Sequence, residues 1–348
     1  MVEAMCKEME LQKHYLSEPI QTIYFGGGTP SLLEEKELET LLENISKNFL
    51  LENTLEITLE SNPDDLTNEK LKILKHLGIN RLSIGIQSFH EEHLKMLNRA
   101  HNAEEAIMCV REAQEKGFEN ITIDLIYAIP SENHNIWQQN LEKALSLKVP
   151  HISAYCLTIE EKTVLGNWTK KKKFIPSDDE FAAVEFEMLV QTLQNEGYEH
   201  YEISNFALPN YYSKHNTNYW KGIHYLGMGA SAHSYNGVSR QYNIRNNSLY
   251  INSIEKGQIP CEIEILTRED KINEHIMTSL RTQWGCDLDY LKNNYGFDLI
   301  KVFEKKVNQF AQNEWITLKD NNITLTHKGK LLADKVTEEL FVLKEDLD

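Results

Sequence analysis

Strand-like runs alternate with helical runs from residue 20 onward, and this alternation restricts the possible folds more than any other feature of the sequence. The strand-like runs begin roughly 26 to 40 residues apart. A repeat of this length is typical of βα units in a parallel α/β sheet. We therefore predict strands at residues 21–25, 55–60, 81–87, 121–126 and 151–157.

The segments between the predicted strands carry apolar residues at helical spacing. Leu38 and Leu41 begin one such face after the first strand. Phe181, Val184 and Leu189 form another after the fifth strand. Apolar residues that recur at a period of 3.6 indicate a helix with one buried face. Each helix is therefore expected to pack on the sheet.

The first element of the chain is predicted to be a helix rather than a strand. Val2, Met5 and Met9 approximate one helical face. In a repeating βα fold this leaves the strand at residues 21–25 short of one neighbour, and native sheets normally cover such an edge. We expect a further strand and its loop upstream of this sequence.

The stretch YFGGGTPSLL at residues 24–33 places three glycines where the first predicted strand gives way to a helix. Glycine is costly in backbone entropy, so glycines in a row indicate unusual dihedral angles or the close approach of another molecule. One glycine would indicate only a tight turn. Three glycines followed by Thr29 and Pro30 favour a ligand cradle.

Polar residues recur near the ends of the other predicted strands. Glu60 and Gln87 end the second and third strands, and Asp124 lies within the fourth. The carboxyl ends of parallel strands share one rim of the sheet, where functional groups gather. One carboxylate in such a position is equally consistent with a helix cap. The recurrence over successive strands favours a binding rim.

The overall composition excludes several classes of protein. A net charge of -17 argues against binding to nucleic-acid backbones, because such binding requires a basic surface.

No apolar run approaches the ~18 residues that span a bilayer, and the N-terminus lacks a signal-peptide pattern, so we expect a cytoplasmic protein. The five cysteines are scattered without a C-x-x-C pair, which predicts no metal site.

Two further regions follow the βα repeat, giving predicted domains at residues 1–197, 198–265 and 266–348. The middle region is rich in tyrosine, histidine and glycine without a clear period, and this composition suits a flat ligand held in irregular structure. The last region carries helices and a hairpin at WITLKDNNITLT, which together resemble a winged helix. Its excess of acidic residues favours a structural or partner-facing role over DNA binding.

Several motifs in a fixed order give the chain a resemblance to a known family. They include YFGGGTPSLL, ESNPDD, GINRLSIGIQSF, LNRAH, DLIYAIP, HISAYCLTIEEKT, YEISNFA, HNTNYW and LGMGASAHS. Together they resemble the oxygen-independent coproporphyrinogen III oxidase group of radical S-adenosylmethionine (SAM) proteins, and most of all its haem-chaperone branch. The resemblance covers essentially the whole chain.

The resemblance implies an α/β fold, an incomplete (β/α)6 barrel that holds SAM across its open rim and here lacks its first strand. The glycine triplet would cradle the methionine end of SAM. Carboxylates are suited to accept hydrogen bonds from ribose hydroxyls, and an arginine is suited to bind a carboxylate. The residues that match the family's cofactor contacts are Gly27, Gly28, Thr29, Glu60, Gln87, Arg99 and Asp124.

The sequence departs from the family at two places. The family carries a C-x-x-x-C-x-x-C loop after its first strand, whose thiolates hold a [4Fe-4S] cluster, and this sequence has no such loop. Either a late start or a fragment omits it, or the protein descends from the family without a cluster. The second departure is Ala128, where the family usually has glycine.

The motif HNTNYW resembles the motif associated with haem binding in the chaperone branch. The resemblance makes His215 the candidate iron ligand, since a neutral imidazole suits haem iron, and Tyr219 and Trp220 would pack against the macrocycle. A single histidine in an aromatic loop is otherwise more often a hydrogen-bonded structural residue.

Three functions follow from these features. The leading hypothesis is a haem chaperone that binds haem and passes it to an acceptor protein, with membrane contact only through that acceptor. SAM and, in an intact form, a [4Fe-4S] cluster would regulate the transfer. The alternative is radical decarboxylation of coproporphyrinogen III by an oxidase. A third hypothesis, a scaffold that binds neither ligand, follows if the cysteine loop is truly lost.

Overall fold

A computed structural model describes residues 1–347 of the chain. All five predicted strands are present in a seven-stranded sheet of order β1-β2-β3-β4-β5-β7-β6, and the pairs from β2 to β5 are parallel. The strands are β1 (Ile20–Phe25), β2 (Leu51–Ser61), β3 (Arg81–Gln87), β4 (Asn120–Tyr127), β5 (His151–Cys156), β6 (Glu199–Glu202) and β7 (Asn205–Ala207). In this sheet β1 is an edge strand, as the sequence predicts.

The chain folds into two compact units, each built from separate segments. The sheet unit contains residues 23–33 and 56–212. The composite unit contains residues 1–22 and 34–55 and the chain from residue 213 onward. Strands β1 and β2 begin in the composite unit and end in the sheet unit.

Helices follow the parallel strands of the sheet unit, as predicted. They are α3 (Asn68–His76), α4 (Glu91–Met96), α5 (Ala103–Glu115), α6 (Asn135–Ser146), α7 (Val164–Lys170) and α8 (Asp179–Asn195). Helix α5 shows why the sequence forms these elements: a capping box at Asn102 and Glu105 begins it, and Gly117, with φ 81°, follows its end. The fully buried Val110 and Ala113 line the face between those limits.

The structure corrects two expectations in this unit. Residues 199–207 form a hairpin that pairs antiparallel with β5, although the sequence predicts irregular structure after residue 198. In α8, Val184 is 37% exposed, whereas Glu185 is buried because its carboxylate accepts a hydrogen bond from the amide of Ala128 at 2.6 Å. The buried face of α8 is therefore shifted from the predicted one.

The composite unit begins with the predicted first helix. Its helices before residue 266 are α1 (Val2–Leu11), α2 (Glu35–Asn48), α9 (Lys214–Trp220) and α10 (Asn247–Glu255), and its strands there are β8 (His233–Tyr235), β9 (Ser239–Asn243) and β10 (Cys261–Ile265). The buried carboxylate of Glu8 on α1 accepts hydrogen bonds from Asn243 Nδ2 at 2.6 Å, the Gly229 amide at 2.9 Å and the Tyr250 hydroxyl at 2.5 Å. This carboxylate fixes α1 to residues far along the chain.

The chain from residue 266 contains the predicted helices and hairpin. Its elements are α11 (Arg268–Leu280), β11 (Cys286–Asp287), α12 (Leu288–Tyr295), α13 (Leu299–Gln312), β12 (Ile316–Lys319), β13 (Asn322–Leu325), α14 (His327–Lys330) and α15 (Ala333–Glu339). Asp320 and Asn321 both have positive φ in the turn between β12 and β13, which matches a tight hairpin. Two short helices, α14 and α15, follow the hairpin. Among residues 1–347, no helix is both long enough and apolar enough to cross a bilayer.

Candidate functional site

A cavity of about 300 Å³ lies where the strands of the sheet unit end. It brings together six of the eight residues that the sequence singles out: Gly28, Thr29, Glu60, Gln87, Arg99 and Asp124. The seventh, Gly27, donates its amide to Glu60 Oε2 at 3.1 Å. The predicted rim is thus one continuous site, whereas the eighth residue, His215, belongs to the composite unit.

The glycine triplet has the backbone that its sequence predicts. Gly27 and Gly28 have φ of 74° and 68°, a conformation that favours glycine. A Cβ atom on either would meet no other atom within 4 Å, so open space lies beside them. At Gly26 a Cβ would come within 2.5 Å of the Tyr24 ring and 3.1 Å of Glu60 Oε1. The first glycine therefore permits close packing, and the next two leave bare backbone beside open space.

Glu60 is held in place from two sides. Its Oε1 accepts a hydrogen bond from the Tyr24 hydroxyl at 2.7 Å, and its Oε2 accepts the bond from Gly27. Burial, together with the charge of Glu60, raises the pKa of Tyr24 well above its ordinary value. The tyrosine therefore remains a hydrogen-bond donor at physiological pH and fixes the carboxylate at the cavity wall.

Asp124 is the second carboxylate of the cavity. Burial raises its pKa to about 6, hydrogen bonds from Ser153 and Ser83 lower it, and the nearby charge of Glu60 raises it. The Ser83 hydroxyl lies 3.3 Å from Asp124 Oδ2. Asp124 consequently changes charge close to physiological pH, unlike an ordinary aspartate.

A bulge in β3 shapes the opposite wall. Gln87 has a φ of 69°, in the left-handed region, and the pairing register shifts between Gly85 and Gln87. Nonglycine residues adopt this conformation at a cost of order 1–3 kcal/mol, and such strain clusters at functional sites. Arg99 donates to Asn62 Oδ1 at 2.7 Å and to the Gly85 carbonyl at 3.0 Å. These bonds fix its guanidinium beside the bulge.

Sequence reasoning missed several residues of the cavity wall. Tyr24, Ser83 and Tyr155 are positioned by the same strand ends, and the last two line the cavity. A signal for Ser83 is present, because Ser83, Gly85 and Gln87 alternate along β3. Asn62 belongs to the ESNPDD motif, lines the cavity and accepts a hydrogen bond from Arg99, a role that the motif alone does not indicate.

His215 has a partner on each ring nitrogen. Ser213 caps α9 by accepting the Asn216 amide, and this cap begins the helix that carries His215. The Nδ1 atom lies 2.9 Å from Thr22 Oγ1, and Nε2 lies 3.1 Å from the Tyr219 hydroxyl. The two rings of His215 and Tyr219 meet edge to face with centroids 4.9 Å apart. His215 is therefore an oriented histidine within an aromatic group.

The donor set of the cavity fits SAM in kind. Two carboxylates, an arginine, hydroxyl groups and bare glycine backbone match its hydroxyl, ammonium and carboxylate groups. A metal cluster has no such match within residues 1–347, which contain no group of three histidine, cysteine, aspartate or glutamate side chains arranged to hold a metal ion.

Comparison with known proteins agrees with this geometry. The Radical SAM superfamily profile matches residues 7–144, and the HemN C-terminal domain profile matches residues 266–332. The solved structure of coproporphyrinogen III oxidase (HemN) from Escherichia coli, a radical SAM enzyme, superposes with a TM-score of 0.83 at 21% identity, over 98% of this chain and 82% of that chain. The sheet and its rim are thus those of a radical SAM protein of the HemN-like group, a partial α/β barrel with a HemN-type C-terminal domain.

Near full-length relatives narrow the assignment. The heme chaperone HemW of Lactococcus lactis subsp. lactis is 34% identical over 98% of this chain and 89% of its own length. The heme chaperone HemW of Bacillus subtilis is 36% identical over 91% of this chain and 84% of its own length. The chain belongs to the HemW family of heme chaperones.

Proposed function

We propose that this protein is a cytoplasmic haem chaperone, which binds haem and transfers it to an acceptor protein. The observation that carries the proposal is the similarity to relatives named heme chaperone HemW, which extends over 98% of the chain at 34% identity. The haem is cargo in this function, so the protein must hold it reversibly.

His215 is the proposed iron ligand. Ligating histidines commonly have their second ring nitrogen held by a hydrogen bond, and Thr22 supplies such a bond to Nδ1. Nε2 then faces the Tyr219 hydroxyl. Iron binding at Nε2 would replace this hydrogen bond. Tyr219 is 39% exposed and so is available to pack against a macrocycle. Trp220 is half-buried, and the Arg281 guanidinium lies 5.4 Å from its ring centroid, so Trp220 would need Arg281 to move before it could do the same.

Haem titration tests the proposal. We expect the protein to take up haem, and His215→Ala to shift the Soret band or to weaken haem affinity about tenfold or more, as loss of an iron ligand should. His14→Ala is the matched control, because His14 is an exposed histidine of the same unit. A His215→Ala spectrum and affinity equal to the control would remove His215 from the site. Conversion of coproporphyrinogen III to protoporphyrinogen would favour the oxidase alternative instead.

The rim cavity is the proposed SAM site. We propose that Gly27, Gly28 and Thr29 hold the methionine end, that Glu60 and Asp124 accept hydrogen bonds from hydroxyl groups, and that Arg99 binds a carboxylate. Gln87 would present its side-chain amide from the bulge. When bound, SAM supplies a reactive sulfonium. The residues of this chain contribute orientation: Tyr24 fixes Glu60, and Asn62 fixes Arg99.

The proposed regulatory cluster cannot be assigned to residues of this chain. Its cysteine loop is absent from the sequence, so no step of the function is derived through a cluster. The upstream strand with that loop stays a prediction, which the nucleotide sequence before Met1 tests directly.

The proposed domain division is 1–197, 198–265 and 266–348. Support comes from the HemN C-terminal profile, which begins at residue 266. The order α11-β11-α12-α13-β12-β13 is the one that a winged helix shows, and we propose that this domain is structural or faces a partner such as the haem acceptor.

A further inference from the structure

A row of polar side chains crosses the sheet unit behind the rim cavity. Asp124 on β4 is the register partner of Ser153 on β5, and Ser153 is the register partner of Asn205 on β7. Side chains of register partners lie on the same face of a sheet and close to each other. Ser153 and Asn205 are only 2% and 3% exposed, and neither belongs to the cavity wall. The functions proposed above use Asp124 but not the two residues behind it.

Glu202 fixes the orientation of Asn205. Its Oε2 atom accepts hydrogen bonds from Asn205 Nδ2 at 2.6 Å and from the Ser204 amide at 3.0 Å, and its side chain is 1% exposed. An ionised carboxylate can only accept, so the amide nitrogen of Asn205 faces Glu202 and its carbonyl oxygen faces Ser153. Asn205 therefore presents an acceptor, and not a donor, to the Ser153 hydroxyl.

The hydroxyl of Ser153 has one proton and two acceptors. Ser153 Oγ donates to Asn205 Oδ1 at 2.9 Å. The carboxylate of Asp124 is the second acceptor, and a hydrogen bond from Ser153 lowers its pKa. A hydroxyl has a single donor, so these two bonds exclude each other. When its proton lies on Asn205, Ser153 offers Asp124 only lone pairs, which favour a protonated Asp124 that donates to Ser153.

Other ionisable side chains also surround Asp124. Besides Glu202, they are Tyr24 on β1, Glu60 on β2, Arg81 on β3, Arg99 on the cavity wall, and His151 and Tyr155 on β5. Burial raises the pKa of both tyrosines and lowers that of His151, so these three are neutral near pH 6. Glu60 raises the pKa of Asp124, whereas Arg81 lowers it. The direction of the Ser153 hydroxyl adds to this balance of opposed charges.

We propose that Asn205 is a positioning residue of the rim site, which holds the Ser153 hydroxyl away from Asp124 and so limits how readily Asp124 becomes a charged acceptor for SAM. This role rests on the proposed SAM site, and it adds control of that site from the hairpin β6–β7. Ionised Asp124 takes the hydrogen bond of Ser153, and protonated Asp124 returns it to Asn205. The charge of Asp124 and the orientation of Ser153 therefore change together.

Two substitutions with opposite expected effects test the proposal. Asn205→Ala removes the competing acceptor, so Ser153 is free to donate to Asp124, and the pH midpoint at which SAM affinity falls should decrease by about one unit. Ser153→Ala removes the donor itself, so the midpoint should increase by about one unit. Because Asn205 acts through Ser153, the double variant should behave like Ser153→Ala alone. Calorimetric titrations with SAM over a series of pH values measure these midpoints.

The carbon-13 chemical shift of the Asp124 carboxyl gives a second measurement, without SAM. Its signal is identified by its absence from Asp124→Asn, and its titration midpoint should move in the same directions. Asn140→Ala is the control, because Asn140 is a buried asparagine of the same unit that bonds a different serine, Ser88, and lies outside the cavity wall. Its midpoint should equal that of the unmodified protein.

Ser153→Ala removes a single oxygen atom, so it keeps the test available if loss of the Asn205 side chain disrupts the hairpin. Midpoints that move in the same direction in Asn205→Ala and Ser153→Ala, or that equal the control, would overturn the role of Asn205. A double variant that follows Asn205→Ala would overturn it as well. Failure of the unmodified protein to bind SAM would instead refute the proposed SAM site, and the carboxyl titration would still decide whether Asn205 controls the charge of Asp124.

Discussion

Asp124 is a carboxylate whose surroundings determine when it is charged. Its pKa is raised to about 6 by burial, and Glu60 contributes in the same direction. An unfolded aspartate titrates near 4, so folding binds a proton between these two values. This group therefore stabilises the fold at low pH, and its contribution is lost as pH rises from about 4 to 6.

The ligand affinity of the rim should show the opposite dependence on pH. We expect SAM affinity, measured by calorimetry, to fall as pH decreases through about 6, because protonated Asp124 loses acceptor strength toward a hydroxyl. Asp124→Asn should bind SAM several-fold more weakly at pH 7.5 and lose this pH dependence. Its free energy of unfolding at pH 7.5 should rise by up to about 3 kcal/mol, the equivalent of two pKa units.

Glu69→Gln provides the comparison, because Glu69 lies in the exposed first turn of α3, away from the lining residues. A pH profile that is the same in Asp124→Asn and in the unmodified protein would assign the titration to another group. Failure of the unmodified protein to bind SAM at any pH would contradict the rim site as a whole.

At the scale of the element, Gly85 leaves room at the bulge in β3 for the side chains of Gln87 and Arg99. A Cβ atom at residue 85 would lie 2.9 Å from Gln87 Nε2 and 3.4 Å from Arg99 Nη2. Both are ends of flexible side chains, so Gly85→Ala should displace them without unfolding the sheet. We expect SAM affinity to fall about tenfold while the free energy of unfolding changes by about 1 kcal/mol or less.

The control for this change is Gly117→Ala at the end of α5. Gly117 has φ 81°, so alanine there should cost about 1 kcal/mol of stability through backbone strain, with SAM affinity unchanged. If Gly85→Ala behaved like Gly117→Ala in both measurements, the bulge would have only a structural role.

The sequence predicts the elements of the sheet unit where apolar runs are bounded by glycine or proline. It fails where polar groups are buried. The hairpin β6–β7 contains His200 and Asn205, whose burial is made possible by bonds to the Ile203 carbonyl and to Ser153. Glu185 is buried for a similar reason, and hydrophobic periodicity cannot detect a buried acid whose partner is a backbone amide. Ala128 has φ 60°, in the left-handed region that glycine adopts more readily than alanine.

At the scale of the whole molecule, the rim could be predicted because parallel strands bring their ends together whatever their distance along the chain. Glu60, Gln87 and Asp124 therefore meet as expected. The surroundings of His215 could not be predicted, because Thr22 lies 193 residues away and in no repeating pattern with it.

Glu8 links α1 to distant parts of the composite unit, so its contribution to the stability of that unit can be measured. We expect Glu8→Ala to lower the free energy of unfolding by about 3 kcal/mol, because Asn243, Tyr250 and the Gly229 amide lose a charged acceptor in a buried site. Glu10→Ala on the exposed face of α1 should change it by less than about 0.5 kcal/mol. Denaturant titration measures both. Equal effects of the two variants would show that Glu8 does not hold the unit together.

The bond between Glu8 and Asn243 also has a consequence for biosynthesis, because the two residues are 235 positions apart. At about 5–20 residues per second, a ribosome needs some 10 to 50 s after Glu8 to reach Asn243. During that interval the carboxylate of Glu8 lacks the donors that it binds in the folded protein. Helix α1 can therefore dock only after residues 229–250 have been synthesised, later than all the strands of the sheet unit.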